Sequence, residues 1–327
     1  MKFHSSTLAV ICTLAITLGA NAIPFGKKDE NATVKVDKPG ALKGQTTVAI
    51  GAFRVAFVTS DAAVSTSHGA FSNGGSSAKM SGELSGIDHA TMQKIADEVY
   101  ADFLKQAAAR GYTILDSTKV ASASATYRDV PQTVNFADSR IGTLVIPTGQ
   151  RSVAIAADDS GKDSKGSAGF GSAFHNLGKA TAKSDANKAF PIAAKDVGAP
   201  VMAVTIVVNF ASFKGTSSSF GSSKATIAPG ATIDGTNKND LALNTSILAW
   251  DAKSCEYVGC MARIYLEGYI HSDAPIGSTS TYGKWSMQNS TKKTAILEAD
   301  PVLYEKGVLE VTAQASEMML NAMRQEK

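Results

Sequence analysis

Histidine is the side chain best suited to proton transfer near neutral pH, and this chain has five, dispersed along the sequence. His68 and His175 lie in Ser/Gly-rich tracts, which hold a general base poorly. His89 stands where a helix is expected to begin, and His271 where a strand is expected to end. Neither an H-E-x-x-H nor a G-x-S-x-G motif occurs. We therefore predict a protein that is not an enzyme. The alternative is a hydrolase with an unfamiliar site. Such a site would need at least three of five candidate side chains to converge in a cleft: His89, His271, Asp116, Asp251 and Glu267.

Two short motifs resemble ligand-binding loops without completing them. Residues 158–163, Asp-Asp-Ser-Gly-Lys-Asp, space acidic residues as a calcium loop does, but the glutamate expected at the twelfth position is missing. Residues 169–172, Gly-Phe-Gly-Ser, lack the Gly-Lys-Ser or Gly-Lys-Thr ending of a phosphate loop. We predict a solvated turn at the first motif, no nucleotide site at the second, and hence no cofactor and no metal. Weak calcium binding at the first motif is the alternative.

The cysteines are few. Cys12 belongs to an amino-terminal apolar run, which leaves Cys255 and Cys260. Their spacing is not C-x-x-C, and no histidine is close in sequence, which argues against a thiol redox pair or half of a metal site. In an oxidising compartment the two cysteines are expected to form a structural disulfide that closes a short turn. The redox pair and the metal half-site are the alternatives.

The first 22 residues have the pattern of a secretory signal peptide. Lys2 precedes an apolar run from Leu8 to Leu18, and Ala20-Asn21-Ala22 presents small residues where a signal peptidase cleaves. This run is about half as long as the roughly 20 apolar residues of a spanning helix. We expect cleavage after Ala22 and a periplasmic, secreted or cell-surface location. A membrane anchor and a lipoprotein with its lipid on Cys12 are the alternatives.

The charge of the chain is small and dispersed. The formal net charge is +3, and it becomes +2 on cleavage because Lys2 is the only charged residue among the first 22. Basic residues do not form the stripe with interleaved aromatics that a nucleic-acid surface uses. We therefore expect no nucleic-acid partner.

The apolar patterns predict an α/β (α+β) fold, with a central mixed sheet flanked by amphipathic helices and interrupted by Ser/Gly-rich insertions. Segments 46–58, with a bend or bulge near Gly51, and 201–213 are almost continuously apolar. Strands of this kind are typical of a sheet covered on both faces, and we expect the two side by side. Helices over 88–110 and 304–324 each carry one apolar stripe and are expected to cover this sheet. Shorter elements are also expected: strands at 112–115, 151–158, 241–250 and 261–271, one or two helices within 117–140, and a short helix that ends at Gly198 with Ile192, Ala193 and Val197 inward.

We expect residues 23–45 to be an extended lead-in and residues 46–327 to form a single domain. Flexible Ser/Gly-rich insertions interrupt it near 65–86, 160–188 and 214–224, the first being a mobile loop or a hairpin of weak register. Isolated aromatic residues in such tracts dock either on a neighbouring protein or on their own domain. On the first interpretation, four of them are candidate contact residues: Phe71, Phe170, Phe174 and Phe220.

The order of elements resembles the curli secretion channel (CsgG) family and its relatives, the amino-terminal domain of TolB and the penicillin-binding-protein activator LpoB. The similarity covers roughly residues 46–325. It includes the strand TVAIGAF, the helix, glycine and strand of IADEVYADFLKQAAARGYTILD, and a final long helix. Val197-Gly198-Ala199-Pro200 stands for the family's Gly-Ala-Asp step, and Asp251-Ala252-Lys253-Ser254 for its Asp-Ala-Lys-Thr-Gly turn.

This resemblance implies a non-catalytic module of envelope assembly or secretion that contacts other envelope proteins and forms a homo-oligomer. The chain departs from curli channels in two respects. After cleavage it lacks the amino-terminal cysteine that carries their lipid, and tracts 65–86 and 211–233 hold few of the apolar residues that a lipid-facing strand needs. Membrane association is therefore not favoured. A pore-forming subunit that inserts these tracts into the outer membrane as hairpins is the alternative.

Overall fold

The computed structural model describes residues 32–67, 76–139, 142–153, 185–217, 223–235, 244–253, 261–287 and 290–325. The strands are β1 (Thr33–Asp37), β2 (Thr47–Phe57), β3 (Ser60–Ser67), β4 (Ser76–Ser85), β5 (Thr113–Leu115), β6 (Ala137–Ser139), β7 (Gly142–Val145), β8 (Val201–Ser217), β9 (Ser223–Asp234), β10 (Ser246–Trp250), β11 (Ala262–Glu267), β12 (Tyr269–His271), β13 (Gly277–Met287) and β14 (Ser290–Ala299). The helices are α1 (His89–Ala109), α2 (Ser117–Ala123), α3 (Ala125–Arg128), α4 (Asp185–Val197) and α5 (Pro301–Gln325). Among these helices, none combines the length and apolar composition needed to cross a membrane.

The larger sheet, here called the main sheet, has the strand order β1-β11-β10-β8-β2-β7-β6. Its central strands β2 and β8 run parallel, with Ala49 opposite Val201 and Phe57 opposite Val208, whereas β10 pairs antiparallel with both β8 and β11. The predicted mixed α/β architecture is confirmed, and so is the placement of the two apolar segments side by side. Both strands are buried where they pair.

Helices α1 and α5 cover one face of the main sheet. Asp88 caps α1 by accepting the Thr91 N–H at 2.8 Å, and Gly111, with φ 79°, follows the end of this helix. Lys94 joins the two helices through an ion pair with Glu305 at 2.7 Å. The predicted stripes are buried on both helices: Met92, Ile95, Val99 and Phe103 on α1, and Val308, Val311, Ala315, Met319 and Met323 on α5.

Helices α2, α3 and α4 cover the opposite face. Phe190 of α4 meets Trp250 of β10 edge to face, with ring centroids 4.7 Å apart. The Tyr127 hydroxyl donates to the Gly51 carbonyl at 2.7 Å. The register of β2 against β8 shifts at Gly51, which confirms the predicted bulge. A Cβ atom at Gly51 would lie 2.6 Å from Val201 Cγ1, so the close approach requires glycine.

The structure contains a second sheet, with the order β13-β14-β4-β3, that was not predicted from the sequence. Hairpins β3–β4 and β13–β14 are antiparallel, and β14 joins β4 in parallel. Within tract 65–86 the described residues thus belong to a hairpin in defined register. Segment 277–299, for which no strand was predicted, supplies the other hairpin.

Three smaller differences concern the edges of the main sheet. Residues 33–37 of the predicted lead-in form β1, which pairs with β11. In the predicted strand 151–158, Val153 makes a single bridge to Gln132, and residues 154–158 lie outside the described residues. Strand 261–271 divides at Gly268 into β11 and β12, and β12 pairs with β9.

Candidate interaction surface

The two described histidines have local partners. The His89 ring stacks on Phe136, with centroids 4.3 Å apart and planes 6° from parallel. His271 Nδ1 lies 2.9 Å from Thr232 Oγ1, and that hydroxyl lies 3.1 Å from the Gly230 carbonyl, to which it donates. Thr232 therefore accepts a hydrogen bond from His271 Nδ1–H. Partial burial lowers the pKa of His271.

The three carboxylates among the five candidate acid–base residues stabilise a helix start, a turn and a strand pair. Asp116 caps α2 by accepting the Lys119 N–H at 2.8 Å. Asp251 accepts the Lys253 N–H at 2.9 Å in the turn after β10. Glu267 lies 3.9 Å from Lys35, across the β1–β11 pair. The five side chains thus belong to separate structural arrangements, on α1, α2, β10, β11 and β12.

No group of three or more His, Cys, Asp or Glu in the described part of the chain is placed to hold a metal ion. Sequence reasoning missed the buried Arg54, which interrupts the apolar run of β2 and is 1% exposed. Its Nε donates to Thr205 Oγ1 on β8 at 2.9 Å. This contact links the two central strands on the face opposite α1.

The six residues predicted for contacts or for the disulfide lie outside the described residues: Phe71, Phe170, Phe174, Phe220, Cys255 and Cys260. The strands that flank two of the tracts are described, and they meet. Ser76 Oγ of β4 lies 3.0 Å from Ser223 Oγ of β9. Strands β4 and β9 therefore meet at Ser76 and Ser223, the first described residues after Phe71 and Phe220 in sequence.

These hairpins form two layers, which we call the arm. One layer is the second sheet, and the other is the β8–β9 hairpin from Ala211 to Pro229. The layers approach each other closely at two glycines. A Cβ atom at Gly215 would lie 2.6 Å from the Val64 carbonyl oxygen, and one at Gly82 would lie 2.7 Å from Ile227 Cδ1.

Hydrogen bonds between the layers supplement these contacts. Ser65 Oγ donates to the Thr216 carbonyl at 2.6 Å. At the base of the arm, Asn209 Nδ2 donates to Asp61 Oδ2 at 2.6 Å, and the Ala62 N–H donates to Asp61 Oδ1 at 2.7 Å. Burial raises the pKa of Asp61, although both hydrogen bonds oppose this shift.

The arm ends in an edge strand. Among the described strands, β13 pairs with β14 alone, and residues 277–280 are exposed on both faces of the strand. Residues 277–283, Gly-Ser-Thr-Ser-Thr-Tyr-Gly, carry no charge. The outward face of the sheet is mostly polar, with Lys79 and Glu83 exposed on β4, although Val64 on β3 is 62% exposed.

Comparison with protein-family models, with curated proteins and with solved structures gives no match to this chain. The fold therefore defines the protein as a mixed α/β domain with an attached two-layer β arm. The resemblance to curli secretion proteins stays a prediction from the sequence.

Proposed function

We propose that this chain is an exported, non-catalytic protein that acts through self-association and contacts with other envelope proteins, in envelope assembly or secretion. The arm is the observation that carries the proposal. It presents a mostly polar outer surface and an edge strand that carries no charge over residues 277–283, and such an edge is a template for pairing with another chain.

Two further observations support this function. The histidines and carboxylates best suited to acid–base chemistry cap helices, stack on rings or join strands, as described above. The amino-terminal pattern, with Lys2, an apolar run and Ala20-Asn21-Ala22, is that of a protein sent out of the cytoplasm.

The test begins with the full chain expressed with its own amino terminus and recovered from the cell envelope. Intact mass spectrometry should show a chain that begins at residue 23. Light scattering during gel filtration, over a concentration series with and without detergent, should then show a discrete oligomer that is the same in both conditions. A monomer at every concentration, together with failure to co-purify any envelope protein, contradicts the proposal.

The second candidate function is a pore-forming or channel subunit. The specific observation in its favour is that tracts 65–86 and 211–233 do contain paired hairpins, β3–β4 and β8–β9. Against it, the side chains on the outward face of β4 are polar: Ser77, Lys79, Ser81 and Glu83. Release of an encapsulated dye from liposomes would favour the pore, whereas a soluble oligomer without dye release favours assembly.

A further inference from the structure

The first half of strand β13 lacks the features that normally protect a sheet edge, and its residues 277–280 are exposed. This first half, from Gly277 to Tyr282, pairs with β14 in continuous register. Proteins protect edge strands with proline, with charged side chains, with bulges or by keeping the strand short. The half from Gly277 to Tyr282 has no proline and no charge, and the register shift begins only after Tyr282.

The chemistry of this edge suits a second copy of itself. Ser278, Thr279, Ser280 and Thr281 are small hydroxyl side chains, and pairs of such residues across antiparallel strands are favourable. Because the run is uncharged, two copies of it can lie opposite each other without repulsion between like charges. This part of the strand has no charged group that could select a partner of opposite charge.

Strand β3, which forms the other edge of the second sheet, is less suitable for pairing with another chain. Strand β3 contains Asp61, whose carboxylate is occupied by Asn209 and by the Ala62 N–H. Strand β3 also contacts the β8–β9 layer through Ser65 and the Val64 backbone. These contacts hold β3 against the second layer, whereas the residues of β13 from 277 to 280 are exposed.

We propose that β13 is the strand through which two copies of this chain pair, antiparallel and about a two-fold axis near Ser280. The inference rests on the proposed self-association and names its interface. Each four-stranded sheet would continue into that of the partner copy, and main-chain hydrogen bonds would supply the contact.

Charge placed at the centre of this interface tests the geometry. Ser280→Lys puts two lysines close together across the axis, and Ser280→Glu does the same with two carboxylates. Each variant alone should dimerise about tenfold more weakly than the wild type. An equimolar mixture should recover the wild-type affinity as a Lys–Glu heterodimer. The matched control is Ser81→Lys, which adds the same charge to the same face of the sheet on the interior strand β4 and should leave the dimer unchanged.

Sedimentation equilibrium gives these affinities, and circular dichroism on each variant checks that the fold is retained. Wild-type affinity in either single variant overturns the β13 pairing while leaving the proposed function in place. Weakened single variants that do not recover on mixing also overturn it, because they show that residue 280 faces a different surface of the partner copy. A wild-type chain that is monomeric throughout and captures no envelope protein overturns the proposed function itself.

Discussion

The centre of the main sheet is filled by large apolar side chains, whereas the interior of the arm combines several small residues with a few large ones. Around β2 and β8 lie Phe53, Phe57, Phe103 and Trp250, all fully buried. Between the layers of the arm lie Gly82, Gly215 and the serines at 65, 76 and 223, together with Phe213 and Ile227, which lie against Gly82. The main sheet is stabilised chiefly by apolar area removed from water, whereas in the arm a smaller apolar contribution is supplemented by close backbone approach and a few hydrogen bonds.

This difference has a consequence for the stability of each part. Burial of large apolar groups is the main favourable contribution to folding, so the main sheet should define the global unfolding transition. Regions with few apolar contacts open locally at lower free energy. We therefore expect the arm to open before the main sheet unfolds.

The largest effect should come from the centre of the main sheet. Phe53 is 0% exposed and meets Tyr100 and Phe103 edge to face, with centroids 4.9 and 5.4 Å away. Phe53→Ala should lower the free energy of unfolding by about 3–5 kcal/mol through lost burial and a cavity. Urea denaturation measures it. The control is Val64→Ala in the arm, where the side chain is 62% exposed and the change should be about 0.5 kcal/mol or less. Equal effects would remove the contrast between the two regions.

The next effect should be confined to the arm. At Gly215 an added Cβ atom meets the Val64 carbonyl oxygen, which cannot rotate away as a side chain can. Gly215→Val should separate the layers at a cost of about 1–3 kcal/mol. The exposed neighbour Thr216→Val is the matched control. Hydrogen exchange should accelerate in β3, β4 and the β8–β9 hairpin, and stay unchanged in α1 and β2. Accelerated exchange throughout the chain would show that the arm and the main sheet unfold as one unit.

The difference between the main sheet and the arm explains which elements could be predicted from the sequence. The interiors of β2 and β8 and the stripes of α1 and α5 consist of large apolar residues at regular spacing, which is the signal that periodicity detects. The same apolar pattern also indicated where β2 and β8 lie within the sheet, because a strand that is apolar on both faces is expected at the centre of a sheet.

The arm gave a much weaker signal. Among the described side chains of β14, Ala295, Leu297 and Ala299 alternate inward, and β13 is mostly serine, threonine and glycine. Its layers meet through residues far apart in sequence, such as Ser76 and Ser223. Composition identified the tracts as Ser/Gly-rich insertions, but pairing between layers depends on tertiary contacts that no local pattern encodes. The edge strand β13 was missed for this reason.

A moderate effect is expected at the base of the arm. Asp61→Ala leaves Asn209 Nδ2 and the Ala62 N–H without their acceptor, which should cost about 1–2 kcal/mol. The pKa of Asp61 is raised in the fold, so its ionised form is disfavoured there. The contribution of Asp61 is full below the unfolded pKa and decreases as pH rises through the folded pKa. Thermal unfolding should therefore show a larger loss at about pH 4 than at about pH 7.5. A loss that grows with pH would show that the ionised carboxylate stabilises the arm.

The smallest effect should come from His271. The pH dependence of its contribution to stability should have the opposite sign to that of Asp61. Burial lowers its pKa, so on acidification the unfolded chain takes up a proton before the folded chain does. Its contribution is full above the unfolded pKa and decreases as pH falls through the lower folded pKa. His271→Gln should reduce the loss of stability between about pH 7 and pH 5, by less than about 1 kcal/mol because water screens this partly exposed ring. His89→Gln is the control, since its ring stacks on Phe136 at another site. Melting temperatures of the two variants and the wild type across this pH range measure the difference. An unchanged pH profile in His271→Gln would show that Thr232 holds the ring equally well in both protonation states.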